Sequence, residues 1–275
     1  MLKYLTKYLV LKKLIISVGV RIFKFLKIKS RFFNINGFQM FLNFLDPVDR
    51  LIILHKTYET EEIDILTNLI KDNSIKKFID IGANCGFYTF KFARQNMEIY
   101  SFEPNIDALN KLENTLNKNE YLKNKIKIFP YGISDCNSKL EMVSMIKHGY
   151  VQTGGSGVVS NKKPKGNNFK FYDAEFKIGD ELLDFQNDNL AIKIDVEGHE
   201  FSVLKGSKKI LEKYKPILLI EIDKQHSSKV KETFNYLKEL RYESFYFDGI
   251  DLIKILSYEE NIRTDFKNFI FKHKE

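Results

Sequence analysis

The chain has 275 residues, enough for one large domain or two small ones, and its 44% hydrophobic and 29% charged residues exclude a disordered or fibrous protein. It contains no apolar run of roughly 18 residues, which excludes a conventional membrane-spanning helix. The net charge of +8 is local rather than a nucleic-acid signature: residues 1–45 hold nine basic residues and no acid, leaving 35 basic against 36 acidic residues elsewhere.

In chain order, residues 1–45 read as a helical arm. An apolar stripe at helical spacing runs through Leu5, Tyr8, Leu9, Ile15, Ile16, Ile22, Phe23 and Leu26, interrupted by Lys12 and Gly19. Two readings fit it: a helix resting on an anionic membrane surface through residues 1–33, or a helix packed on the following domain with its lysines solvated. A signal peptide is disfavoured, because only seven uncharged residues separate Lys13 from Arg21.

Residues 46–275 alternate helix and strand. Thr60 precedes an amphipathic helix over 60–72 with acids in its first turn, and Thr60 reads as its cap. A short strand follows over 76–82, then a helix over 87–95, a strand over 98–104, a helix over 105–119 and a strand over 125–133. Residues 138–180 break this rhythm and read as a glycine-rich insertion or long loop. The alternation resumes with a strand over 189–196, a helix over 200–214, a strand over 216–223 and a helix over 227–242. Residues 243–255 close the series as a hairpin turning at Asp248-Gly249. Such alternation predicts an α/β fold: a mainly parallel, Rossmann-like sheet with helices on both faces and ligands at the carboxyl ends of its strands.

The first strand ends in IDIGANCGFYT, where Asp80 precedes the turn Gly82-x-x-x-Gly86 into a helix. Glycines permit a sharp turn and close approach, and the helix start offers free N–H groups to an anion. Glu103 ends the next strand, where an acid accepts hydrogen bonds from ribose hydroxyls. The dinucleotide fingerprint is missing, because Asn84 occupies the middle of the turn, so a nicotinamide cofactor is disfavoured. An adenosine with a free carboxylate fits better, as in S-adenosylmethionine.

These segments, followed by SFEPN, IKIDVEGHEFSVLKGS and ILLIEID, resemble the FkbM family of S-adenosylmethionine-dependent methyltransferases over residues 57–250. The resemblance implies a class I methyltransferase fold, whose sheet is seven-stranded, and O-methylation of a sugar, glycan or related natural-product hydroxyl. It assigns the cofactor to Asp80, Gly82, Asn84, Gly86, Glu103 and Asn105, with Asp135 at the adenine. Asn105 and His199 depart locally from the family pattern.

Along NLAIKIDVEGHE, Leu190, Ile192, Ile194 and Val196 share one face, and Lys193, Asp195 and Glu197 the other. Charges in a buried strand must be paired or used, so Lys193 is expected to pair with Asp195 or Glu221. Methyl transfer to an alcohol needs the acceptor oxygen held in line and its proton removed. Asp195 is the first candidate for that work, followed by Glu197 and His199, with His226 on the same rim. Divalent-metal assistance is the second reading, with Asp195 and Glu221 as ligands. Tyr150, Thr153 and Gly154-Gly155 of the insertion are expected to fold over the site and recognise the acceptor. The acceptor is expected to be a small molecule or glycan, free or lipid-linked, and not nucleic acid, since no NPPY-type sequence is present. Cys85 and Cys136 stand in no metal-binding spacing and suit a reducing, cytoplasmic setting. The alternative of another class is a membrane-surface or scaffold protein with a non-catalytic methyltransferase fold.

Overall fold

The computed structural model describes residues 16–26, 28, 30–159, 163–185, 189–256 and 266–274. Residues 16–25 are helical and form α1. Residues 1–15 of the expected helical arm, with Leu5, Tyr8, Leu9, Lys12 and Ile15 of its stripe, lie outside the described residues, and beyond α1 the described part of the arm is not helix: β1 (Arg31–Ile35) and β2 (Phe38–Leu42) form an antiparallel hairpin whose turn holds Asn36 and Gly37 at positive φ. Asp46 then caps α2 (Pro47–His55) by accepting from the Val48 and Asp49 N–H groups, with Pro47 opening the helix. Ile35, Met40, Leu42 and Ile52 are all fully buried, so this segment belongs to the core.

The elements that follow are α3 (Thr60–Asp72), β3 (Lys77–Ile81), α4 (Phe87–Ala93), β4 (Glu98–Phe102), α5 (Ile106–Lys118), β5 (Ile126–Phe129) and β6 (Gly132–Ser134). The cap of α3 is Glu59 in the left-handed conformation rather than Thr60, whose hydroxyl meets that of Thr57 instead. Pro130 separates β5 from β6, which leaves the main sheet.

Residues 138–180 are not a loop. They hold two ten-residue strands, β7 (Ser138–Lys147) and β10 (Phe169–Ile178), with the short β8 (Tyr150–Val151) and β9 (Gly157–Val158) paired to β7. With β6 they form a five-stranded sheet beside the main one, followed by α6 (Gly179–Leu182). The chain returns through β11 (Leu190–Ile194), α7 (Glu200–Gly206), α8 (Lys208–Tyr214), β12 (Ile217–Glu221), α9 (Val230–Glu239), β13 (Tyr242–Phe247), β14 (Leu252–Ile255) and β15 (Asn268–His273). The expected 200–214 helix is thus two helices that meet at Ser207.

The main sheet has eight strands in the order β14-β13-β15-β12-β11-β3-β4-β5, not seven. From β12 to β5 all pairings are parallel, whereas β15 runs antiparallel to β12 and β13, and β14 antiparallel to β13. The expected hairpin supplies β13 and β14, and β15 wedges between it and β12, where residues 268–273 were not expected to form a strand. Two apolar clusters cover the sheet's faces: Phe78, Phe90, Phe92, Leu66 and Leu112 lie in one, and Ile79, Ile192, Ile194, Leu204 and Leu237 in the other. Alternation along β3 explains the split, since Phe78 and Ile79 point to opposite faces. The parallel strands bring Gly82, Glu103, Asp195 and Glu221 to one edge of the sheet.

Candidate active site

A cleft of about 1060 Å3, its open mouth included, lies along that edge. Its lining combines Gly82, Asn84 and Glu103 with Asp195, Glu197, His199 and Glu221, and adds Tyr58, Glu59, Thr153 and Gly154.

The glycine turn is shaped by chain crossings. A Cβ on Gly82, at φ +83°, would lie 1.8 Å from the Asp195 carbonyl oxygen, so only glycine lets β11 pass. A Cβ on Gly86, also at φ +83°, would lie 2.2 Å from Leu112 and 2.7 Å from Phe90, so this glycine seats α4 against α5. Asn84 bridges them in the left-handed conformation, at φ 50°. Its N–H donates to Glu103 Oε2 at 2.7 Å, and its Oδ1 accepts the Thr153 hydroxyl at 2.7 Å.

Glu103 is buried and links the turn to the start of α5, because its Oε1 accepts the Asn105 N–H at 2.7 Å. Burial pushes its pKa up to about 7, against the pull of these two N–H groups. Asp80 is deeper still and does not line the cleft. Its Oδ2 accepts the Thr89 hydroxyl at 2.7 Å and the Thr89 N–H at 3.1 Å, which ties the start of α4 to β3. Asn105 caps α5, and its side-chain amide donates to Ser156 of the insertion.

Lys193 is the cation at the centre of the far wall. Its Nζ donates to Asp195 Oδ2 at 2.8 Å and lies 4.9 Å above the Tyr88 ring. Burial pulls the ammonium pKa down, but Asp195, Asp80 and Glu59 outweigh it and hold the value above the usual lysine range. The expected Lys193–Asp195 pair therefore forms. Burial raises the pKa of Glu221 and Glu59, with Asp195 adding to both and Lys193 offsetting part. Glu59 also accepts the Tyr88 hydroxyl at 2.8 Å. Glu197 sits at φ 51° in the turn after β11, and its Oε2 meets His226 Nδ1 at 2.5 Å. Burial and Asp195 raise its pKa, while His226 lowers it.

Sequence reasoning placed Asp195, Glu197, His199, Gly82, Asn84 and Glu103 on the cleft. His199 turns its Nε2 to the Ser134 hydroxyl at 2.9 Å and its ring edge to Phe176, and burial lowers its pKa. Asp135 is not among the lining residues: Lys205 takes its Oδ2 and holds its pKa low. Asp80, Gly86 and Asn105 are likewise not among the lining residues. Tyr58 and Glu59 were missed, because no motif marks the loop before α3. Among the described residues no group of three or more His, Cys, Asp and Glu is arranged to hold a metal ion.

A second charged cluster supports the turn from below. Lys111 of α5 is buried, with its Nζ 2.7 Å from Asp49, 3.3 Å from Asp46 and 2.9 Å from the Thr153 hydroxyl. Asp46 Oδ2 also accepts the Thr153 N–H at 2.8 Å. α2, α5, the insertion and the glycine turn are thereby joined by one buried polar network.

A doubly wound α/β sheet with a glycine turn, an acid ending the adjacent strand and a carboxylate-rich far wall is the architecture of a nucleoside-cofactor enzyme. The model of the methyltransferase FkbM domain matches residues 80–244, more than half of the chain, and the chain belongs to this family. Among solved structures it is similar to methyltransferase FkbM of Methylobacillus flagellatus (18% identity, TM-score 0.47), over 72% of this chain and 43% of that one. The chain thus spans less than half the length of that protein. It is also similar to the Streptococcus mutans protein SMU.1697c in complex with SAH (14% identity, TM-score 0.43, 77% and 97% coverage). A precorrin-6y C5,15-methyltransferase from Geobacter metallireducens aligns at 9% identity, with TM-score 0.39 and 78% and 87% coverage. No curated protein matches the chain.

Proposed function

We propose that this chain is an S-adenosylmethionine-dependent O-methyltransferase acting on a hydroxyl of a sugar, glycan or related natural product, free or lipid-linked. The observation that carries the reading is Glu103, a buried carboxylate that lines the cleft and spends two of its roughly four lone-pair directions on backbone N–H groups. The remaining directions suit a ribose diol. When bound, the cofactor supplies an electrophilic methyl group on sulfur.

The far wall supplies the acceptor chemistry. Asp195 keeps Oδ2 on Lys193, which fixes the carboxylate, and Oδ1 receives the acceptor hydroxyl proton. Glu221, raised above the usual carboxylate range, is protonated near neutral pH and donates to an acceptor oxygen. Glu59, raised in the same direction, is a second polar group on the acceptor side. The Glu197–His226 pair orients a second acceptor hydroxyl, and Thr153 with Gly154 and Gly155 covers the mouth. Several carboxyl groups around one cation suit a hydroxyl-dense acceptor.

Calorimetric titration tests the reading. S-adenosylmethionine binds the native chain, Glu103→Ala abolishes binding, and Asp195→Asn leaves binding intact while lowering methyl transfer at least about 100-fold. Absence of any cofactor binding by the native chain overturns the proposal. Binding without turnover across a panel of hydroxylated acceptors favours the scaffold reading instead.

A further inference from the structure

The two sides of α1 differ in what they meet. On the inner side Phe23 stacks on Phe44 with ring centroids 4.7 Å apart. A Cβ on Gly19 would lie 2.8 Å from the Phe44 ring, so the helix backbone comes down onto the body at this point. Val20 and Phe23 pack against the same buried cluster as Phe44, and the Arg31 guanidinium lies 5.0 Å from the Phe23 ring. This side anchors the helix.

Val18, Ile22, Phe25 and Leu26 are spaced three to four residues apart or adjacent, and so form one stripe along the helix. They are 45%, 49%, 86% and 56% exposed. Single exposed apolar residues are ordinary, but a phenylalanine almost fully in solvent within a four-residue stripe marks a contact surface. Arg21 and Lys24 are exposed on the same helix.

We infer that the exposed stripe of α1, with its flanking basic residues, docks the protein on an anionic lipid bilayer. Charge selects the occupant. Residues 1–45 carry nine basic residues and no acid, and a layer of anionic headgroups neutralises them while Phe25 and Ile22 enter the acyl boundary. A second copy of the chain would set this cationic segment against itself. The inference stands apart from the proposed activity, since it needs neither cofactor nor acceptor.

Co-sedimentation of the full chain with phosphatidylcholine vesicles, with and without phosphatidylglycerol, tests it. The chain binds the phosphatidylglycerol vesicles, binding weakens as salt is raised, and phosphatidylcholine alone binds far less. Ile22→Glu with Phe25→Glu weakens partitioning by about tenfold or more. Arg21→Gln with Lys24→Gln weakens it less, and neither pair alters the thermal midpoint or cofactor affinity. Undiminished binding of the Ile22→Glu, Phe25→Glu variant overturns the inference, as does equal binding to both vesicles. Binding to poly-glutamate but not to phosphatidylglycerol vesicles also overturns it and identifies an acidic protein as the partner.

Discussion

Glu200 is 2% exposed, with one carboxylate oxygen on the Gly198 N–H at 2.8 Å and the other without a hydrogen-bond partner among the described residues. Burial pushes its pKa up to about 7 from the model-peptide value of 4.5. Between these values the folded chain keeps a proton that the unfolded chain has released, so this residue's contribution to stability is full below about 4.5 and falls as pH rises to about 7. Glu200→Gln preserves the shape and removes the charge. The variant is therefore expected to gain about 1–3 kcal/mol over the native chain near pH 8 and little near pH 4.5, measured by urea unfolding at both values. Residues at this scale were legible where a strand end fixed them. Glu103 follows from its place at the end of the strand after the glycine turn, and Asp195 and Lys193 from alternation along a buried strand, in which a charge needs a reason. Asp135 was not legible in this way, because its direction is set by Lys205, 70 residues away in sequence. Glu59 gave no signal either, since its place depends on a left-handed backbone that the sequence around it does not require.

Between elements, the Lys111 cluster has a sharper consequence than any single hydrogen bond. One cation pairs with Asp46 and Asp49, both fully buried, and joins α2 to α5 beneath the glycine turn. Burial pushes the Asp49 pKa up to about 6, with Lys111 offsetting part of that rise, so removing the lysine leaves buried charge uncompensated. Lys111→Met is expected to cost about 3–5 kcal/mol, and adding Asp49→Asn to recover part of it. A urea-unfolding double-mutant cycle reads the coupling, and additive costs would show that the two groups do not interact. The helices and parallel strands were legible because their apolar periods run long enough to be read. The β1–β2 hairpin was hidden by its neighbours: Asn36-Gly37 is a turn signal, but the basic, apolar residues before it extended the helical pattern past it. β7 and β10 were hidden by the glycine-rich link between them, which masks two amphipathic strands that pair only with each other, β6 and the short β8 and β9. β15 is six residues long and pairs with strands far earlier in the chain, so nothing local announces it.

At the scale of the whole molecule, the cleft is where parts distant in sequence converge. Val48 and Tyr58 come from the N-terminal segment, Thr153 and Gly154 from the insertion, and Glu103, Asp195 and Glu221 from the sheet edge between the two apolar clusters. The alternating pattern made this convergence legible in outline, because parallel strands put their carboxyl ends on one side, but not the contribution of the insertion, which depends on its own small sheet. A ligand seated there touches all of these parts and so stabilises the fold as a whole rather than one loop. At about 100 times its dissociation constant, S-adenosylmethionine is expected to add ~2.7 kcal/mol, on the order of a 5 °C rise in thermal midpoint for a chain of this size. On the proposed reading, Glu103→Ala is expected to remove the rise by removing binding, and Asp195→Asn to keep it. A rise in midpoint that survives Glu103→Ala would place the ligand elsewhere on the molecule, and a loss of the rise in Asp195→Asn would move Asp195 from acceptor chemistry to cofactor binding.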